Sequence, residues 1–164
     1  MKQLLICRHA KSSWKDPDLR DFDRPLNKRG RNDAPEMGRR LAAQGIKPDL
    51  ICSSPAVRAR ETALHYAEQL GYPPAQVLFY PQQYAASVAL LVALIAEVSP
   101  QVKTLMVVGH NPESTMLANF LSGLKIENIP TSGIVALEFA VQSWQDIGPG
   151  CGTLVFFDYP KKQV

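Results

Sequence analysis

Lys2–Trp14 reads KQLLICRHAKSSW. Its apolar run, Leu4-Leu5-Ile6-Cys7, breaks off at Arg8-His9, two side chains that do not belong in an apolar core. A short apolar run with no helical period is the pattern of a strand buried on both faces, as in a parallel sheet. Ending such a strand in arginine and histidine sets both at a sheet edge, where a ligand can reach them. Similar strand patterns recur at Leu50–Cys52, Val77–Phe79, Thr104–Val108, Ile134–Phe139 and Thr153–Phe157.

Helical patterns lie between these runs. Asn27 can cap a helix running to Gln44 and ended by Gly45, with Pro35 in its first turns or kinking it. Ser54-Pro55 combines a cap with proline at the first helical position and opens a helix that stops at Gly71. Ser87–Val98 is apolar and alanine-rich, so it is expected to be well buried. Asn111-Pro112 repeats the cap-and-proline signal for a helix ending near Gly123. The last two strands are expected to form a hairpin or meander across the turn DIGPGCG, Asp146–Gly152. The alternation predicts an α/β fold with a largely parallel sheet. With no repeat or linker, residues 1–164 are expected to form one domain.

A hydrophobic fraction of 46% and a charged fraction of 20% suit a globular chain with its own core. No apolar run approaches the ~18 residues of a membrane span, and the N-terminus lacks a signal-peptide pattern. Cys7 and Cys52 lie in strand-like runs and Cys151 stands apart. Buried reduced thiols in a cytoplasmic protein are therefore expected, rather than disulfides or zinc ligation. The net charge of +3 decides little by itself, but between Arg8 and Arg40 ten Lys or Arg residues face six Asp or Glu. Interleaved acids and the lack of an aromatic stacking pattern argue against nucleic acid. A small anionic group fits better.

In open α/β sheets, ligands bind beyond the carboxyl ends of the strands. Three strand ends here carry reactive or cationic residues. The first ends in Arg8-His9, the second runs through CSSP to Arg58, and the fourth ends in Gly109-His110. Taken singly, a strand-end histidine is more often a hydrogen-bonding group than a catalyst. Arg58 alone fits an exposed helix surface, Ser54 and Asn111 read as caps, and His65 reads as an ordinary helix residue. Together, two histidines and two arginines at one sheet edge point to a phosphate site. Guanidinium forks match phosphate oxygens, helix N-termini favour anions, and a neutral imidazole can attack phosphorus to form a covalent intermediate. His110 and the guanidinium groups can meet the phosphoryl oxygens, so no metal or other cofactor is expected.

The segments RHAKSSW, DFDRPLNKRG, ICSSPAVRARETA and VVGHNP resemble the histidine phosphatase superfamily, and within it the small SixA-type phosphohistidine phosphatases. The resemblance runs from the first strand to beyond Pro112; the last forty or so residues match only as a compatible α/β ending. It implies a phosphoglycerate-mutase-like, three-layer α/β/α sandwich with a mostly parallel central sheet. It also implies that His9 is the phosphorylated nucleophile and that Arg8, Arg58 and His110 line the phosphate pocket. Ser12 falls where a hydroxyl residue often lies near that pocket.

Two departures bear on substrate. Ala10 replaces the usual glycine after the nucleophile, a small change. Many relatives carry an acidic proton donor shortly after the third strand, whereas that region here reads FYPQQYAAS, Phe79–Ser87, with no Asp or Glu. An alkoxide leaving group would suffer from that loss. Imidazole, whose conjugate acid has a pKa near 6.5, would leave with little help. The expectation is a metal-independent phosphatase acting on phosphohistidine in a protein partner, such as a component of a phosphorelay in signal transduction. Short loops between Arg58 and the VVGH strand agree, leaving the site open, with Lys11–Arg31 as its rim. The alternatives are a small-molecule phosphomonoesterase of broad specificity and a non-catalytic module that binds a phosphorylated ligand. Asp21, Asp23 or Glu113, if placed in the pocket, would favour ester hydrolysis. Neither nucleic acid nor membrane is expected as a partner.

Overall fold

The strand-forming runs assemble into one six-stranded sheet of order β3-β2-β4-β1-β5-β6 in a computed structural model describing residues 1–162. The elements in chain order are β1 (Lys2–Arg8), α1 (Lys28–Ala43), β2 (Leu50–Ser53), α2 (Val57–Leu70) and β3 (Leu78–Phe79). They continue with α3 (Val88–Ala96), β4 (Thr104–Gly109), α4 (Glu113–Ser122), β5 (Ile134–Phe139) and β6 (Thr153–Asp158). The first four strands are mutually parallel, and β5 adds antiparallel to β1 and pairs with β6 as the expected antiparallel ending.

Alternate residues of the buried strands face opposite layers, as the two-residue strand period requires. Leu5, Cys7, Ile51, Met106 and Val108 pack against Ala34, Met37 and Leu41 of α1 and Ala59, Ala63 and Tyr66 of α2. Leu4, Ile6, Leu105, Val107 and Leu137 face the other way, against Leu91 and Ile95 of α3, Leu117 and Leu121 of α4, and Trp144. The result is the three-layer α/β/α sandwich. Its purely apolar central strands explain why β1 carries no polar residue between Gln3 and Arg8. Cys7 and Cys52 are free, buried thiols, whereas Cys151 is exposed.

The helix starts differ in detail from those expected. Asn27 does cap α1, its Oδ1 accepting from the Gly30 N–H at 2.8 Å. Pro35 is the eighth residue of that helix, just past its first two turns, and the helix runs on to Ala43. α2 begins at Val57 after Ala56, not at Pro55, so Ser54 is not its cap. α4 begins at Glu113, and Asn111 acts from one residue further out, its Oδ1 accepting from the Thr115 N–H at 3.3 Å. At α2 and α4 three residues, 54–56 and 110–112, separate the strand from the helix that follows. Those residues are the ones that reach the site.

Candidate active site

Strand pairing brings the two histidines together. β1 and β4 are adjacent and in register, Arg8 opposite Gly109. The His9 N–H donates to the Gly109 carbonyl at 3.0 Å, so His9 and His110 leave neighbouring strands side by side. Their ring centroids are 5.2 Å apart. β2 lies on the far side of β4, the Ser54 N–H donating to the Val108 carbonyl at 3.0 Å, and the chain then turns into α2. Arg58, in the first turn of α2, swings back so that its Nε lies 3.3 Å from His9 Nε2. Arg8 reaches the Ile129 carbonyl through one terminal nitrogen at 2.9 Å, while its Nε is buried without a partner among the described residues.

These four residues, expected at three separate strand ends, thus form one cluster. Ser12 does not join it by a hydrogen bond: its backbone bridges to Leu26, closing the loop that follows His9. His65 lies apart on α2, where the surrounding surface is formed by Glu61, Leu64 and Glu68. The apolar groove between α3 and α4, lined by Val88, Val92, Met116 and Phe120, offers no titratable group and lies outside the cluster.

His9 is 7% exposed, and its Nδ1 is 2.7 Å from its neighbour's carbonyl, Ala10 O. A carbonyl can only accept, so Nδ1 carries the proton and the Nε2 lone pair is available towards Arg58. Burial pushes the imidazole down to about 3, aided by the His110, Arg58 and Arg8 neighbours and opposed by the Ala10 bond. Burial, with Arg58 next, likewise holds His110 down to about 4. Both rings are therefore neutral at neutral pH. The backbone behind His9 is fixed as well: the Ala10 N–H donates to Thr62 Oγ1 at 2.9 Å, and that hydroxyl donates to the Arg58 carbonyl at 2.7 Å. Ala10 is wholly buried, which suits a small residue there.

The segment lacking an acid is answered from another loop. Asp21 Oδ2 accepts from Arg58 Nη2 at 2.9 Å and from the Tyr84 hydroxyl at 2.8 Å. Tyr84 sits edge-on to His110, with centroids 5.5 Å apart. Partial burial of the Asp21 carboxyl opposes ionisation, but the bonds from Tyr84 and Arg58 outweigh it and hold the group below the usual carboxylate range. Asp21 is thus an ionised group that steadies Arg58. Of the three acids considered from sequence, Asp21 is the one seen bonded to a cluster residue; Asp23 instead pairs with exposed Arg20 at 2.9 Å. Tyr84 and Thr62 carried no distinguishing signal in the sequence, and Ser54 read there only as a helix cap.

The sequence profile described as histidine phosphatase superfamily (branch 1) matches residues 4–78, which span β1 to β3 and include Arg8, His9 and Arg58. An uncharacterized chloroplastic protein of Arabidopsis thaliana is 37% identical, over 91% of this chain and 73% of its own length. This chain belongs to the histidine phosphatase superfamily. An uncharacterized protein of Mycobacterium tuberculosis is 36% identical over 94% of this chain and 99% of its own. Among solved structures, a protein of Agrobacterium tumefaciens provisionally described as the phosphohistidine phosphatase SixA superposes with a TM-score of 0.81. It is 28% identical and aligns over 97% of this chain and 98% of its own. The superfamily and this neighbour make the chain a phosphatase, acting on a phosphate-bearing substrate. No helix among the described residues is long and apolar enough to cross a membrane.

Proposed function

We propose that this histidine phosphatase hydrolyses phosphohistidine in a protein partner by transferring the phosphoryl group to His9. The observation that carries the proposal is the state of His9: neutral by burial, its proton held on Nδ1 by the Ala10 carbonyl, its Nε2 lone pair beside Arg58. Nε2 attacks phosphorus, the N–P bond to the substrate imidazole breaks, and the departing imidazole takes the proton it already carries or gains one from water. Charge on the transferring oxygens falls among Arg8, Arg58 and His110. Water then attacks the phosphorylated His9, whose imidazole leaves neutral with Nδ1–H still on Ala10 O. The carboxylate-free segment Phe79–Ser87 supports an easily departing imidazole over an alkoxide. Two buried free thiols accord with a cytoplasmic setting, and a phosphotransfer protein of a signalling relay is the class of partner that presents such a group.

Asp21 favours a second reading, a phosphomonoesterase of broad specificity. Its carboxylate touches Arg58, and a phosphate dianion arriving there would raise its proton affinity and let it protonate an ester oxygen. Phosphate release from a phosphohistidine peptide and from an aryl phosphate, with EDTA present, separates the two for wild type, His9→Ala and Asp21→Asn. The leading reading expects faster release from phosphohistidine, abolished in His9→Ala and reduced only severalfold in Asp21→Asn. An aryl phosphate preference that collapses by more than about 100-fold in Asp21→Asn, the scale of a lost general acid, establishes the second reading instead.

A further inference from the structure

Ser54 lies wholly buried after β2, where its hydroxyl oxygen has two partners. The Ala56 N–H donates to Oγ at 3.2 Å, and His110 Nε2 lies 2.8 Å from the same atom. The Ser54 carbonyl is already engaged by the Ser53 hydroxyl at 2.9 Å. Among the described residues, Nε2 is the acceptor left for the Ser54 proton. A neutral imidazole has one donor and one acceptor nitrogen. If Nε2 accepts, the proton of His110 resides on Nδ1, and Nδ1 is buried with no partner among the described residues.

We propose that Ser54 is a positioning residue that fixes His110 as its Nδ1–H tautomer, giving the phosphoryl group a neutral N–H donor beside the guanidinium groups of Arg8 and Arg58. The opposite tautomer fails twice. With Nε2–H donating to Oγ, the Ser54 proton would be buried without an acceptor. Nδ1 would also present a lone pair to the phosphoryl oxygens, repelling the anion that the arginines attract. The Ala56 N–H already satisfies Oγ as an acceptor, so the need that remains is an acceptor for the hydroxyl proton. Ser54 thus connects the turn into α2, which also delivers Arg58, to the side chain leaving β4. The donor role rests on the phosphoryl-transfer reading, but the tautomer does not.

The test uses ¹⁵N-labelled protein and needs no turnover. At neutral pH, His110 in the wild type should show a protonated, pyrrole-type Nδ1 and a pyridine-type Nε2. The reverse pattern would overturn the proposal, even if the protein were a fully active phosphatase. Saturation with inorganic phosphate should move the Nδ1–H resonance, and indifference to phosphate would overturn the donor role. Ser54→Ala should convert the ring to a tautomer mixture and lower kcat about 10- to 100-fold, the scale of one hydrogen bond to a charged group. Ser54→Thr, which keeps the hydroxyl, should restore both. An Ala variant with wild-type spectrum and turnover would sink the assignment. Should the Ala variant fail to fold, the wild-type spectrum still decides.

Discussion

The proposed attack needs a deprotonated imidazole, and at His9 burial supplies one. The same burial has a consequence for folding. In the unfolded chain His9 and His110 take up protons as pH falls through about 6.5. In the folded chain they resist protonation until about 3 and about 4 respectively. Across that window the unfolded state binds more protons, so the histidines' contribution to stability is present above pH 6.5 and is lost as pH falls towards those values. Thermal unfolding of wild type should therefore shift to lower temperature between pH 7 and pH 4.5. His9→Gln should show a shallower slope, since it removes one of the two groups. Equal slopes would mean that the imidazole takes up its proton in the fold as readily as outside it. At the same scale, Tyr84→Phe removes one of the two donors on Asp21 Oδ2 while leaving Arg58 in place. An NMR titration should find the Asp21 carboxyl raised relative to wild type; an unmoved titration would show that Arg58 alone sets it.

At the scale of elements, the loop after β1 is held by a close backbone approach. The Asn27 N–H donates to the Lys11 carbonyl at 2.9 Å, and a Cβ placed on Gly30 would lie 2.2 Å from that same oxygen. Because the obstacle is backbone, Gly30→Ala must push α1 away from the loop that carries Ala10 and Lys11. The expected cost is about 1–3 kcal/mol of stability, typical of overpacking, with a fall in kcat as Ala10, and through it the Nδ1 bond of His9, shifts. Urea unfolding beside turnover checks both; an unchanged midpoint would show that the loop is free to yield. This contact also shows where legibility stops. The glycine in NKRG and the Asn27 cap are visible in sequence, and the cap locates the helix. That the glycine makes room for Lys11, nineteen residues earlier, depends on three-dimensional packing. Ser54 misled for a related reason: serine before proline is a fair helix start, and only the neighbouring β4 reveals that its hydroxyl is turned to His110. Asp21 lay in a run of mixed charge, where sequence alone gives no reason to prefer it over Asp23.

Over the whole molecule, strand order makes the site. Histidines 101 residues apart meet because β4 is inserted beside β1, and Arg58 joins them because β2 flanks β4. That convergence was readable from motifs at strand ends, since each motif marks its own strand. The other side of the sheet has no such markers, so β5 and β6 were recognisable only as a hairpin. β5 is fastened by its pairing with β1, and the end of β6 by Arg40 of α1, whose guanidinium donates to Asp158 at 3.3 Å, to the Tyr159 carbonyl at 3.0 Å and to the Pro160 carbonyl at 2.9 Å. With Arg40 half-buried, these bonds are better shielded than those of a surface ion pair, and two of the acceptors are backbone carbonyls that need no side-chain ordering. Arg40→Ala is expected to cost about 1.5–3 kcal/mol, the range for hydrogen bonds to a charged group, by freeing the end of β6. Hydrogen exchange should then quicken in β6 more than in β1 or β4. Turnover should remain near wild type, because the cluster lies at the carboxyl ends of β1, β2 and β4 and takes no side chain from β6. Unfolding midpoints, exchange rates and kcat on one preparation suffice. If turnover fell in step with β6 protection, the hairpin would be part of the machinery rather than a brace behind it.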